Sequence, residues 1–219
     1  EPSAAIAFLE LADWHRIWGN SHNLFGVLVP YSHVANQTWR EAVWAWLDRE
    51  LDPNLGLWRK GVQPVERPFA WGVLEQLGGY VHIVGVYRHH KRQIPHLRAL
   101  VETTLKLQRE DGAWFHLPGA SYMDFDALYA LWLATESETD LRPRVKQAAR
   151  KYADFYLPIL LDKKLLTTGA VHLVLCNITT LAILQRFLPE RFISSYQWGD
   201  IFDTPSTYRL DQIAPAHLR

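Results

Sequence analysis

Apolar residues recur at the three-to-four spacing of an amphipathic helix through nearly all of residues 3–188, and no segment sustains the alternation of a strand. A chain patterned this way must bury helix against helix, so the expected class is all-α. The spacing predicts helices over 3–17, 22–34, 38–51, 68–89, 95–109, 123–137, 142–162 and 169–188. Pro68, Pro95 and Pro143 stand where a first turn tolerates proline. Gly19, Gly56, Gly61, Gly112, Gly119 and Gly169 mark the connections.

Paired, these helices become a repeat. Helix 38–51 leads through a loop to 68–89, 95–109 to 123–137, and 142–162 to 169–188. The first members hold Arg40, Glu41, Arg98, Glu102, Lys146 and Arg150; the second hold Ala70, Gly78, Gly79, Ala127, Ala130 and Ala182. Charged helices are expected outside and small-residue helices inside, in units of roughly fifty residues, the range of stacked helical repeats. Residues 189–219, with Pro189, Pro205 and Pro215, lose the period and are expected to form an extended arm over the body or a partner subunit.

Composition narrows function by exclusion. The 23 basic residues balance 23 acidic ones, so no basic field exists for nucleic acid. A single cysteine, Cys176, rules out an internal disulfide and fits a reducing compartment such as the cytoplasm. The most apolar stretch, 171–188, carries His172, Asn177 and Arg186 and reads as a buried helix rather than a membrane span. Ten tryptophans suit helix packing, an apolar pocket, a sugar surface or a cationic intermediate.

The loop Gln108-Arg109-Glu110-Asp111-Gly112-Ala113-Trp114 resembles the core of the QW motif of squalene-hopene and oxidosqualene cyclases. Gly56-Leu57-Trp58 is a degenerate copy without the Gln, and Lys163–Gly169 has lost the pattern. In that family the element is structural: it staples neighbouring outer helices. Asp126-Ala127-Leu128-Tyr129-Ala130-Leu131-Trp132 is similar to the segment of protein farnesyltransferase β subunits whose Asp and Cys hold zinc. His172 and Cys176 match the spacing of a further ligand there. Leu128 replaces the ligating Cys, so neither zinc nor any other cofactor is expected. Asp124-Phe125-Asp126-Ala127 resembles the Asp-x-Asp-Asp motif of class II terpene cyclases, one acid short. The resemblance, over 38–188, implies an α/α toroid, partial or short because about four helix pairs are present. It also implies a buried Asp126 that protonates an alkene, with Asp124 tuning it. A capping role for Asp124 is the competing expectation.

Other polar groups complete the candidate site. Glu75 and His82, seven apart, share a helix face and suit an acid/base pair or a structural hydrogen bond. His22 and Asn23, in the segment Asp13–Asn23, either face a ligand or cap helices. Trp71, Tyr129 and Trp132 are expected to stabilise a carbocation, with Trp114 and His116 at the mouth and His172 beside the acid. Three functions remain open: an isoprenoid-handling enzyme of the class II cyclase type, a carbohydrate-active lyase or hydrolase using Asp126 with Glu75, or a non-catalytic subunit. The corresponding partners are a small apolar substrate, a sugar, or a second copy held by the arm.

Overall fold

The computed structural model describes residues 1–60, 72–115, 121–161, 171–193 and 195. The chain is all-α, with nine α-helices among the described residues. They are α1 (Pro2–Leu11), α2 (Ile17–Val34), α3 (Gln37–Glu50), α4 (Val73–Ile83), α5 (Gly85–His89), α6 (Leu97–Leu107), α7 (Tyr122–Ser137), α8 (Arg142–Leu161) and α9 (Val171–Phe187). A two-residue hairpin, β1 (Leu51–Asp52) with β2 (Leu57–Trp58), pairs Leu51 with Trp58 and Asp52 with Leu57. Among the described residues, no helix is long and apolar enough to cross a membrane.

Local chemistry sets the boundaries. The helix expected over 3–17 stops at Leu11. Asp13 then accepts a hydrogen bond from the His15 backbone N–H, and a 3₁₀ turn at Trp14–Arg16 leads straight into α2. The Trp14 indole N–H ties that turn back to the Leu9 carbonyl at 3.0 Å. Helix α2 therefore begins five residues before its expected start, and His22 and Asn23 lie inside it. Asn36 caps α3 by accepting from the Trp39 N–H. The helix expected over 68–89 divides at Val84 into α4 and α5; its first residues, 68–71, lie outside the described residues.

Helices α2, α4, α7 and α9 pack side by side in chain order, and α6 and α8 pack on α7 and α9 from the other side. Helix α1 packs on α3, and β2 joins α3 to α4. The expected pairs α6 with α7 and α8 with α9 pack together, whereas α4, expected to pair with α3, packs chiefly on α2. Twelve of the sixteen residues of α7 are buried, so α7 is the centre of the inner row and reaches solvent chiefly near its C-terminal end. The charged faces of α6 and α8 meet at the surface, where Arg98 binds Asp140 and Arg144 binds Glu102.

The two glycine-tryptophan loops do the same job twice. The Trp114 indole N–H donates to the Thr104 carbonyl of α6 at 2.8 Å, and its ring packs on Tyr152 of α8. Gln108 donates to Gly112 O at 2.8 Å and to Ala148 O of α8 at 2.9 Å. In the earlier loop the Trp58 indole donates to Leu47 O of α3 at 2.8 Å, and the ring stacks on Tyr80. Each glycine has positive φ (+67° at Gly56, +100° at Gly112) and touches the next outer helix. A methyl on Gly56 would stand 2.5 Å from Leu100 N of α6; one on Gly112 would stand 2.8 Å from the Lys151 carbonyl carbon of α8. Each loop thus staples its own outer helix to the following one.

The start of the expected arm is anchored, not free. Glu190 binds Lys146 and Arg150, and Arg191 binds Asp154, all on α8. Residues 196–219 lie outside the described residues.

Candidate active site

Ser121 precedes α7 as its cap. Its Oγ accepts from the Asp124 N–H at 3.3 Å, while Asp124 accepts in return from the Ser121 N–H and hydroxyl at 3.2 and 2.7 Å. The other Asp124 oxygen accepts from the Trp114 and Phe115 N–H groups at 2.7 and 3.1 Å. Burial pushes the Asp124 carboxyl up, but these four donors oppose that shift. Asp124 is a clamp between the Trp114 loop and the start of α7. The cap of α7 is Ser121 rather than Asp124, and Asp124 is its third-position partner in the capping box.

Asp126, half a turn further, has a different environment. It is 2% exposed, and Oδ2 has no hydrogen-bond partner among the described residues. Burial pushes its carboxyl far above the usual range; the charge of Asp124 pushes the same way, and the Trp18 indole N–H opposes them by hydrogen-bonding the carboxylate. Burial therefore favours the protonated form of Asp126 over the carboxylate. Around it stand Tyr122 and Cys176, with Tyr152 and Thr180 beyond, and burial pushes the Cys176 thiol up to about 12. Thr180 shares a hydrogen bond with the Cys176 thiol, and the Tyr152 hydroxyl is buried with no partner among the described residues. Unpaired buried polar atoms are rare, and those of Asp126 and Tyr152 set this region apart from plain core.

Trp18 comes from α2 and crosses α4 to reach this acid. Gly78 makes the crossing possible: a methyl there would stand 2.8 Å from Nε1 of Trp18. Gly79 similarly makes room for Ile17. The pair Gly78-Gly79, expected only to be small, is the groove in which α2 lies. Trp18 was not among the candidates. The signal was present in two adjacent glycines inside a helix, which need a neighbour to justify their cost.

The remaining candidates divide. Glu75 and His82 are not an acid/base pair. Glu75 accepts from the Trp18 backbone N–H at 3.2 Å, capping α2, while Nδ1 of His82 lies 2.8 Å from Ser21 Oγ. Both side chains are held by α2, which the helical spacing of α4 alone does not reveal. The His22 ring lies against His82 at a tilt of 49° with centroids 4.1 Å apart, and Asn23 is exposed on α2. Trp114 is fully buried in the staple and does not line a mouth. Trp132 faces outward, with Arg88 and Arg186 over its ring at 5.2 and 4.8 Å. Tyr129 lies between Phe125 and Trp132, with Arg88 at 5.8 Å. Trp71 and His116 lie outside the described residues, as does the side chain of His172 in the first turn of α9. No group of three metal-binding side chains occurs among the described residues.

Comparison of the chain with protein-family models, curated proteins and solved structures returned no significant match. The functional reading therefore rests on the site alone.

Proposed function

We propose that the chain is an isoprenoid-handling enzyme of the class II cyclase type, in which Asp126 protonates an alkene. The observation that carries this reading is the Asp126 carboxyl: desolvated, held at one oxygen by an indole N–H, and unpartnered at the other. A carboxylic acid kept neutral by burial is a strong donor once a weakly basic π bond is brought against its proton. The proton adds to one alkene carbon and leaves a tertiary cation on the other. An internal π bond closes on that cation, and loss of a proton from a neighbouring carbon ends the sequence as a net isomerisation. The carboxylate left behind regains its proton from solvent. Trp18 and Tyr122 are the aromatic groups beside the acid and replace Trp132 in the expected cation-stabilising role.

The test is product analysis by gas chromatography with mass detection. Wild type and Asp126→Asn are incubated with squalene, geranylgeranyl diphosphate and uronate oligosaccharides. Wild type should convert one of the isoprenoids to a cyclic isomer, and Asp126→Asn should lose about 10²–10⁴ in rate, the usual contribution of a general acid. Equal rates in both proteins would remove Asp126 from the chemistry. Cleavage of the oligosaccharides in place of cyclisation would transfer the site to sugar chemistry.

A further inference from the structure

Five of the ten histidines lie along one seam, where α2 packs on α4 and α5. His22 and His33 are eleven residues apart on α2, so they occupy one face about 16 Å from each other. Each meets a histidine across the seam. The His22 ring centroid lies 4.1 Å from that of His82 on α4. The His33 centroid lies 3.5 Å from His89, the last residue of α5, and 6.2 Å from His90 just after it. The His89 and His90 centroids are 4.7 Å apart. His22 is exposed and the other four are half-buried, so protons reach these rings without unfolding of the chain.

The charges around the seam oppose a charged imidazole. Helix α2 carries no Asp, Glu, Lys or Arg. From α3, Arg40 donates to the Ser32 and Ala35 carbonyls at the end of α2, and its charge acts on His90. Asp48 of α3 is bound by Arg92 and accepts from the Tyr87 hydroxyl. From α5, Arg88 lies 3.8 Å from Glu136 of α7, and Lys91 follows His90. From α4, Glu75 accepts from the Trp18 N–H at the opposite end of α2, beside Asp13 and Arg16. Burial, then the charges of His33 and His90, lowers the His89 pKa to about 4; burial, Arg40 and His33 lower that of His90.

The two ends of α2 are thus held differently. Its start is held by shape, with Ile17 and Trp18 set against Gly79 and Gly78. Its end, fifteen residues and about 22 Å beyond Trp18, is held by rings that repel one another once protonated. We propose that the histidine seam is an acid-released latch: proton uptake at His33, His89 and His90 releases the end of α2 from α5, while the start of α2 and helices α6–α9 stay in place. His22 and His82 add like charge one turn from the glycine groove. Released rings bind protons near the ordinary value of about 6.5, and the closed His89 ring only near 4, so release is favoured as pH falls through that window. The latch is independent of the chemistry at Asp126.

Hydrogen exchange read by mass spectrometry on the full chain at pH 7 and pH 5, corrected for the intrinsic rate at each pH, tests it. Amides of α5 and of the second half of α2 should exchange about tenfold or more faster at pH 5, the factor given by one proton taken up per opening, with α7 and α8 unchanged. The double substitution His33→Asn with His89→Asn removes two titrating rings; it should keep wild-type protection at pH 7 and lose most of the acid response. Equal acceleration in α7 and α8, unchanged exchange in α5, or a full acid response in the double variant overturns the proposal. The ring resonances of the wild-type histidines give a second reading that needs no variant. His89 and His90 titrating below about 6.5 agree with the latch, and titration of both at or above that value overturns it.

Discussion

Asp124 and Asp126 sit two positions apart on α7, and amide substitution should affect them in opposite ways. Asp124→Asn leaves one acceptor oxygen where two took four hydrogen bonds. Chemical denaturation should show a loss of about 1–3 kcal/mol, the cost of leaving buried partners unmatched. Asp126→Asn keeps the shape and an acceptor for Trp18 and removes a titrating group. The folded pKa of Asp126 is raised, so the folded protein keeps a proton that the unfolded chain releases above about pH 4. Wild-type stability from this group is full below pH 4 and falls as pH rises toward the folded pKa. The stability of Asp126→Asn relative to wild type should therefore grow as pH rises above about 4 in urea melts. A constant difference would show that Asp126 is ionised in the folded state. Burial of Asp126 was expected from the resemblance of its segment to the class II cyclase motif. Its partner was not, because Trp18 lies over a hundred residues away and reaches it only across a neighbouring helix.

At the scale of elements, α4 carries the clearest test. Gly78→Ala improves intrinsic helix propensity by about 1 kcal/mol, yet sets a methyl against the Trp18 ring. Overpacking of this kind costs about 1–3 kcal/mol, so the net effect in denaturation should be destabilising. Stabilisation would mean that the Trp18 ring does not occupy the groove. The contact of α2 with α5 offers a pH test. The His33 and His89 rings meet at a tilt of 46° with centroids 3.5 Å apart; His90 lies beside them with Nε2 2.9 Å from Ser32 Oγ, and the Arg40 charge acts on it. Burial, then His33 and His90, lowers the His89 pKa to about 4. The unfolded chain thus takes up a proton first as pH falls, and stability is lost between about pH 6.5 and pH 4. Thermal melts should show this slope in wild type and a shallower one in His89→Asn; identical slopes would acquit the cluster. Helix existence was legible from spacing alone. Helix ends were less so: Asp13 and the Trp14 bond to Leu9 end α1 early through short-range polar contacts that periodicity does not encode.

For the whole molecule, the staples decide how the pairs act together. Helical repeats are held by nearest-neighbour interfaces, so a broken staple loosens one junction more than the rest. Gln108→Ala removes two hydrogen bonds at the α6–α8 junction. Hydrogen exchange should speed up in α8 and α9 more than in α2 and α4, and equal acceleration throughout would show that the junctions are not separable. The glycine-tryptophan pattern was legible because it repeats, as was the packing of α6 on α7 and α8 on α9; the packing of α4 on α2 rather than on α3 was not. What the repeat could not say is that Asp124 belongs to the staple while Asp126 belongs to the interior.

The bare flank of α4 at residue 78 acts as a keyway, with the indole of residue 18 as its key. A key in its slot blocks sliding but permits rocking. Helix α2 cannot advance along α4 by a turn without lifting that ring over a methyl or a larger side chain. Any breathing of the first helix pair must instead pivot about the slot, and the carboxyl tethered to the ring would sense the tilt before any other group in the interior.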